Sequence, residues 1–209
     1  MSGFPNVVID PVRVRSFFPR RTSTAKLLFA LNGALLPESL RRGNWDRRVY
    51  PIEDHPTYRL MATLYDNHFS VDACYRPLVQ YYIERGRREP AARAHAERRV
   101  DDYMSHCGKL CQSLREDGYR AESSDHQIGL AIDRNGVFVK TSEGHHRFAL
   151  ARILGLNRIV ADIRWVHTAW YRRFRPRGIG YSKEALNAAI ATAAHPQTAA
   201  RCNGASRLT

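Results

Sequence analysis

A short polar run from Glu143 to Arg147, with the sequence EGHHR, has side chains that could bind and process a phosphate. The residues after it have the apolar spacing of an amphipathic helix, so the run would lie at a helix N-terminus. Free backbone N–H groups there carry partial positive charge, and Gly144 lets the chain approach a ligand closely. We therefore expect a nucleotide phosphate to bind at this turn.

The side chains of the turn suggest catalytic and binding roles. The guanidinium of Arg147 could pair with two phosphate oxygens or, alternatively, form a salt bridge with Glu143. His145 or His146 could donate a hydrogen bond to phosphate or shuttle a proton, although two adjacent side chains cannot point the same way. Glu143 could act as a general base toward a hydroxyl acceptor, hold a magnesium ion, or simply accept hydrogen bonds at the helix start.

Residues outside this run could complete a pocket. Ser142 offers a hydroxyl that could contact the phosphate, although helix capping is its favoured role. Trp45 is predicted to fill the core and is also a possible residue of the pocket rim, and Asp46 beside it could either bind ligand from another loop or form a turn. His167 and Trp170 follow a predicted strand and could border the pocket.

Zinc and hydrolase chemistry have less support. Cys107 and Cys111 are four residues apart, but both fall on the apolar stripe of a predicted helix and are interpreted as packing residues. His145 and His146 lack further ligands at the spacing of a tetrahedral zinc site, and no nucleophile elbow indicates a Ser-His-Asp hydrolase. Apart from the magnesium alternative at Glu143, we assign no metal ligands.

Composition limits both the number of domains and the partners. The 209 residues suffice for one core with an appendage, and 33 Lys and Arg against 20 Asp and Glu give a net charge of +13. This charge attracts nucleotides and polyanions, so nucleic acid is an alternative partner, with the Arg and aromatic cluster from Trp170 to Arg177 as its surface. No segment is typical of a membrane span and the cysteines lack disulfide spacing, so we expect a cytoplasmic protein without a membrane partner.

Hydrophobic spacing predicts the elements that position the turn. We predict a strand over 7–18 broken at Pro11, helices within 57–86 and 100–114, a hairpin turning at 135–136, a helix after Gly144, a half-buried strand over 159–166 and a weak helix over 183–194. Residues 22–36 are predicted as a helix or a buried strand. Residues 85–99 are interpreted as a solvated joint, with a nucleic-acid contact as the alternative.

The stretch from Ile128 to Trp170 resembles the ParB N-terminal domain and sulfiredoxin superfamily. The resemblance rests on the hairpin, on EGHHRFALARILGL, on IVADIRWVH and on the closing Trp170, with less specific matches at VVIDPVRV, GNWD and LREDGY. It implies an α+β fold, a small mixed sheet with packed helices, over residues 1–180, with a helical insertion at about 57–99. A weak helix and a disordered tail would follow at 181–209. Nucleotide phosphates would rest on residues 144–147.

Branches of this superfamily differ at the turn. Sulfiredoxins carry a catalytic Cys at the position of His145, and ParB proteins bind CTP on a Glu-Arg-Arg turn before a helix-turn-helix region, which we do not expect after His167. The free serine kinases resemble this chain in the His-His-Arg turn, although the preceding acid, Asp in many relatives, is Glu143 here. The resemblance implies ATP or another nucleotide, with or without magnesium, and phosphotransfer to a small hydroxylated acceptor. A nucleic-acid-binding module and a non-catalytic nucleotide sensor are the alternatives.

Overall fold

The computed structural model describes residues 6–19, 40–120, 127–141, 143–174 and 182–194. Within these ranges the chain forms one mixed β-sheet of seven strands and six α-helices, which confirms the expected α+β class. In the same residues no helix has the length and apolarity needed to cross a membrane. The predicted element at 22–36 and the predicted disordered tail beyond 194 lie outside the described residues, as does Ser142.

The sheet is built around one long strand. The strands are β1 (Asn6–Ile9), β2 (Ser16–Phe17), β3 (Leu40–Arg41), β4 (Tyr50–Pro51), β5 (Ile128–Ile132), β6 (Phe138–Lys140) and β7 (Ile159–His167). Their order is β1-β7-β5-β6-β2-β4, and β3 pairs with the C-terminal end of β7. β7 is antiparallel to β1 and parallel to β5. Both faces of β7 are largely buried, including Asp162, so it is more enclosed than its alternating sequence predicts.

The opening segment folds as its proline indicates. β1 ends before Pro11, which begins a 3-10 turn over Pro11–Arg13, and the Asp10 carboxylate accepts a hydrogen bond from the Val12 amide at 2.9 Å. Proline fixes its own φ and has no amide hydrogen, so the strand ladder cannot continue through it. The chain re-enters the sheet as β2, which is parallel to β6.

Six helices complete the described fold. They are α1 (Pro56–Asp66), α2 (Val71–Glu84), α3 (Glu89–Asp117), α4 (His145–Ile153), α5 (Thr168–Phe174) and α6 (Lys183–Ala194). The first three form a helical insertion between β4 and β5, and they continue to Asp117, past the predicted limit near residue 99. The Ala-rich segment near the C-terminal end forms α6, as predicted.

The predicted solvated joint at 85–99 is wrong, because most of it is the first part of α3. The buried stripe of α3 runs at steps of three and four residues and comprises Ala92, Ala96, Val100, Met104, Cys107, Cys111 and Leu114. Alanine favours helix formation, and its small side chain lets a neighbouring helix approach closely. Ala92 and Ala96 extend the stripe by two turns, but a prediction based on large apolar residues does not detect them.

The cysteines of the insertion pack in its core. Cys74, Cys107 and Cys111 are buried free thiols. Burial raises the pKa of Cys107 to about 12, so its thiol stays protonated and unreactive at neutral pH. The packing role predicted for Cys107 and Cys111 is therefore confirmed.

Two hydrophobic cores meet at α4. Phe148 and Ala151 pack into the core of the sheet, whereas Ala149 and Leu150 pack into the core of the helical insertion. α4 therefore joins the sheet to α1, α2 and α3. Its N-terminus, which carries the EGHHR turn, lies at the junction of the two layers.

Candidate functional site

Gly144 is the N-cap of α4 and adopts a conformation that favours glycine. Its φ is +65°, and a Cβ built on it would lie 2.8 Å from the Cα of Ile128. The Phe148 amide donates to the Gly144 carbonyl at 3.0 Å, so the amides of His145, His146 and Arg147 precede this first helical bond. Gly144 has no side-chain oxygen to cap them. An anion placed at this turn would accept hydrogen bonds from these amides.

Lys140 fixes the backbone of the turn from beneath. It is completely buried at the end of β6, and its Nζ donates to the carbonyls of Thr141 at 2.9 Å, Gly129 at 3.4 Å and Glu143. Burial lowers the pKa of Lys140 to about 7, and the Glu143 carboxylate opposes this shift. The Lys140 amine thus lies directly behind the start of α4, and with a pKa near 7 it carries its positive charge in part of the molecules at neutral pH.

Glu143 forms an ion pair with Arg164 of β7, a partner that the sequence does not suggest. Arg164 also lies 3.4 Å from the buried carboxylate of Asp162. Burial raises the pKa of Asp162, and the Arg164 guanidinium opposes that rise. Because Arg164 neutralises Glu143, this carboxylate is a weaker candidate for a base or a magnesium ligand than the sequence indicates.

His145 stacks against His55, which the sequence does not link to the turn. The ring centroids are 4.3 Å apart and the rings are inclined by 26°. Nδ1 of His55 accepts the Thr57 amide at 3.1 Å as the N-cap of α1, so the neutral ring carries its proton on Nε2. Burial, with a smaller contribution from Lys140, lowers the pKa of His55 to about 4 and that of His145 to about 2. Both rings are neutral at pH 7.

His146 points toward α3 instead of α1. Its Nε2 lies 2.7 Å from the hydroxyl of Tyr103, within hydrogen-bonding distance. Burial lowers the pKa of His146 to about 4 and raises the pKa of Tyr103, so both groups are neutral at pH 7. The adjacent histidines thus diverge, as predicted, and each contacts a different helix of the insertion.

Arginine side chains add to the positive charge of the site. Arg147 is half-buried, and its guanidinium opposes the rise that burial causes in the pKa of Tyr119. Arg85, at the end of α2, contributes to the lowered pKa values of His145 and His146 after the larger effect of their burial. With Glu143 neutralised by Arg164, the charges of Lys140, Arg85 and Arg147 leave the turn net positive.

The residues predicted to border the pocket gather at the other end of β5. Asp46 binds Arg134, which follows β5, through its amide at 3.2 Å and its guanidinium at 2.6 Å. Burial acts to raise the pKa of Asp46, but the hydrogen bonds from Arg134 lower it overall. The turn at Glu143 pairs with Gly129 near the start of β5. At about 3.3 Å per residue, the ends of β5 lie about 13 Å apart.

The other three predicted rim residues also have structural partners. Trp45 is buried, as predicted, and its ring lies 5.8 Å from that of His167. His167 accepts the Ala169 amide at Nδ1 and bonds the Gly43 carbonyl through Nε2 at 2.9 Å. Trp170 is buried against the hairpin turn, where a Cβ on Gly136 would lie 2.8 Å from its Nε1. These residues therefore do not border the EGHHR turn.

Several members of the site are absent from the sequence prediction. Lys140 could have been noticed in the sequence, because it is the only lysine of β6, an otherwise apolar strand that ends just before the turn. His55 immediately precedes the helix-starting Pro56, and its alignment with His145 depends on how α1 packs. Tyr103 lies on the inner side of α3 and is indistinguishable in sequence from a packing residue.

A cleft of about 280 Å³ lies near the site but does not contain the turn. It is lined by Val8, Gly118, Tyr119, Leu156, Asn157, Arg158, Ile159 and Val160. Tyr119 is the residue that links this cleft to Arg147. The residues from Glu143 to Arg147 are half-buried, so they remain partly accessible to a ligand.

No protein-family model, curated protein or solved structure matches the chain. In the described ranges, no group of three or more His, Cys, Asp and Glu side chains is placed to hold a metal ion. The geometry and the positive charge of the EGHHR turn therefore carry the functional inference.

Proposed function

We propose that the turn from Gly144 to Arg147 binds the phosphate groups of ATP or another nucleotide, as in the ParB and sulfiredoxin-like proteins that the sequence resembles. The observation that supports this proposal is the positive start of α4. Its first-turn amides have no N-cap side chain, and Lys140, Arg85 and Arg147 lie beside them. The nearest acid in sequence, Glu143, is already paired with Arg164.

We further propose that the bound nucleotide donates a phosphoryl group to a small hydroxylated acceptor. The acceptor oxygen would bond to the terminal phosphorus, the bond to the nucleoside diphosphate would break, and a base would take the hydroxyl proton. We assign this base to His146, which is unprotonated at pH 7: with its proton on Nε2, donated to the Tyr103 hydroxyl, Nδ1 would be left to accept the proton of the acceptor. His145 would contact phosphate as a neutral donor. Magnesium would arrive with the phosphates, which supply oxygen ligands.

A non-catalytic nucleotide sensor is the second candidate. The lowered pKa of His146, about 4, favours it, because a group of that pKa is a weak proton acceptor. ADP formation from ATP in the presence of serine and other small hydroxylated compounds separates the two, since a sensor binds without turnover. For either activity we propose a cytoplasmic location. Free thiols such as Cys74 support it, because thiols stay reduced in the cytoplasm.

Calorimetric titration with ATP, ADP and CTP, with and without magnesium, tests the binding proposal. We expect Arg147→Ala to lower affinity about ten- to a hundredfold, since a hydrogen bond to a charged group contributes about 1.5–3 kcal/mol. Arg76→Ala is the matched control, because Arg76 is an exposed arginine near the middle of α2. Thermal unfolding verifies that both variants are folded. Equal affinity of Arg147→Ala and the wild type would overturn the proposed phosphate contact.

A further inference from the structure

The turn between α2 and α3 and the adjoining part of α3 carry a cluster of exposed arginines, of which the proposed nucleotide site uses only Arg85. Arg85 and Arg87 lie on the turn itself, and Arg98 and Arg99 lie on α3. These four residues are called the arginine corner. They belong to the segment at 85–99, for which the sequence leaves a nucleic-acid contact open.

Aromatic contacts hold the arginine corner together. The Arg85 guanidinium lies 5.3 Å from the ring centroid of Tyr81, and that of Arg87 lies 5.8 Å from the ring centroid of Tyr82. The ring of His95, on α3, meets Tyr82 edge-on at 4.5 Å. Residues three and four positions apart share a side of a helix, so residues 98 and 99 lie on the same side of α3 as His95. The turn and α3 therefore present the four arginines on one side of the insertion.

The carboxylates around the corner have other partners. Glu84 pairs with Arg59 at 2.8 Å, Glu89 pairs with Arg93 at 2.7 Å, and Glu97 accepts a hydrogen bond from Tyr75 at 3.2 Å. Within the described part of the chain, the four corner arginines form no ion pair, even with Asp101 and Asp102 further along α3. Among the described residues, no carboxylate therefore lies within ion-pair distance of a corner arginine.

The pKa of His95 agrees with this concentration of charge. Burial lowers the pKa, and Arg87, Arg98 and Arg99 lower it further. Arg85 connects the corner to the EGHHR turn, because it also contributes to the lowered pKa values of His145 and His146. Arg85 is thus close enough to the start of α4 to act electrostatically on its two histidines.

We propose that the arginine corner binds the phosphate backbone of a nucleic acid without sequence preference. Guanidinium groups match phosphate oxygens in geometry, and aromatic stacking preorganises two of the four. A membrane fits less well, because the large exposed apolar side chains of the described residues, Val8, Val12, Tyr50 and Val137, belong to the sheet and its turns. The 170–177 cluster is less suitable, since two of its aromatic residues, Trp170 and Tyr171, are buried. This proposal does not depend on nucleotide binding at Gly144.

Fluorescence anisotropy with a labelled 20-nucleotide single-stranded RNA, titrated at several salt concentrations, tests the proposal on the full chain. Each phosphate contact on a single strand contributes about 0.7 to the slope of log affinity against log salt. We therefore expect the double variant R87Q/R99Q to reduce that slope by about 1.4 and to bind more weakly at every salt concentration. Duplex DNA serves as a second probe, on which the slope should fall by about 1.8, because each contact on B-DNA contributes about 0.9.

The double variant K109Q/R115Q is the matched control. It removes the same charge from exposed positions on the same helix, and Lys109 follows Arg99 by about 15 Å at 1.5 Å per residue. We expect it to bind RNA like the wild type. Equal losses in the two double variants would overturn the proposal in favour of a general charge effect, as would an absence of RNA binding by the wild type.

Two further measurements separate this proposal from its competitors. Equally tight binding to phosphatidylserine-containing vesicles, lost in R87Q/R99Q, would overturn it in favour of a membrane. ATP titration of R87Q/R99Q should give wild-type affinity, because neither arginine lies at the EGHHR turn. Loss of RNA binding with ATP binding retained therefore supports the corner, and a failure of ATP binding in the wild type would affect the nucleotide proposal alone.

Discussion

Two clusters near opposite ends of β5 contain the same kinds of side chain, yet they differ in how fully those side chains are satisfied. At the hairpin end, Asp46 accepts hydrogen bonds from the amide and the guanidinium of Arg134. Both ring nitrogens of His167 bond to the backbone, at Ala169 and Gly43. This cluster ties the loop around Trp45 to the hairpin, and its binding capacity is used within the protein.

The EGHHR turn has backbone hydrogen-bond donors that no N-cap side chain accepts. The amides that begin α4 have no N-cap side chain, and the positive charge of Lys140 lies behind them. Its one carboxylate, Glu143, is neutralised by Arg164. Histidine, arginine and acid thus occur in both clusters, and what distinguishes a binding site from a structural one is the hydrogen-bonding capacity that remains. Variants of the two clusters should accordingly affect different properties.

The largest effect on stability is expected for Asp46→Ala at the hairpin end. It removes a buried acceptor and leaves Arg134 without its carboxylate partner, with only the oxygens of Gly43 and Asn44, which we expect to cost about 3 kcal/mol. Glu53→Ala is the control, since Glu53 forms a more exposed ion pair with Arg152 and should cost about 0.5 kcal/mol. Urea unfolding measures both. ATP affinity should survive in folded Asp46→Ala, and its loss there would contradict the separation of the two clusters.

The glycines at the two ends of α4 give a matched pair of intermediate effect. Gly144 and Gly155 have φ values of +65° and +68°, so an alanine at either position costs about 1 kcal/mol for its backbone conformation. Only Gly144 faces a neighbour, the Cα of Ile128 at 2.8 Å from a built Cβ, whereas Gly155 has nothing within 4 Å.

We expect Gly144→Ala to destabilise the protein by about 1 kcal/mol more than Gly155→Ala, because the turn must move away from β5. The same movement should weaken ATP binding in Gly144→Ala and leave it unchanged in Gly155→Ala. Urea unfolding and calorimetric titration measure the two differences. If both alanine variants bind ATP like the wild type, the position of this turn is not important for binding.

The local pattern predicts the elements next to the turn well, because each carries its own periodicity. The hairpin through 135–136, α4 after Gly144 and β7 follow from alternation, helical spacing and turn residues within a short window. The beginning of α3 is missed because its buried stripe consists of alanines. Composition there resembles that of a solvated segment, and only the partner helix reveals which side is buried.

The site itself could be predicted only in part. The sequence identifies EGHHR, since those residues are contiguous, but His55 and Tyr103 reach the turn through the packing of α1 and α3. The converse error concerns Asp46 and His167, whose side chains could line a pocket. In the structure Asp46 bonds to Arg134 and His167 bonds to Gly43, at the far end of β5. Distances between elements decide both cases, and a single sequence does not contain them.

The smallest effect concerns the pH dependence of stability, and it arises from the histidines of the turn. The unfolded chain binds a proton on each histidine near pH 6.5, whereas burial lowers the folded pKa of His146 to about 4. Between these values the unfolded state holds more protons, so the free energy of unfolding falls as pH decreases from about 6.5 to 4. One such histidine contributes about 1.4 kcal/mol per pH unit at most.

We therefore expect His146→Gln to reduce the slope of unfolding free energy against pH between 6.5 and 4.5 by about 1 kcal/mol per pH unit. The exposed His68 supplies the control, as His68→Asn, because asparagine tolerates its positive φ of 51°. Urea unfolding across this pH range measures the slopes. A His146→Gln slope equal to that of the wild type would mean that His146 is protonated as readily in the folded protein as in the unfolded chain. That result would contradict the burial of a neutral imidazole at the proposed phosphate site.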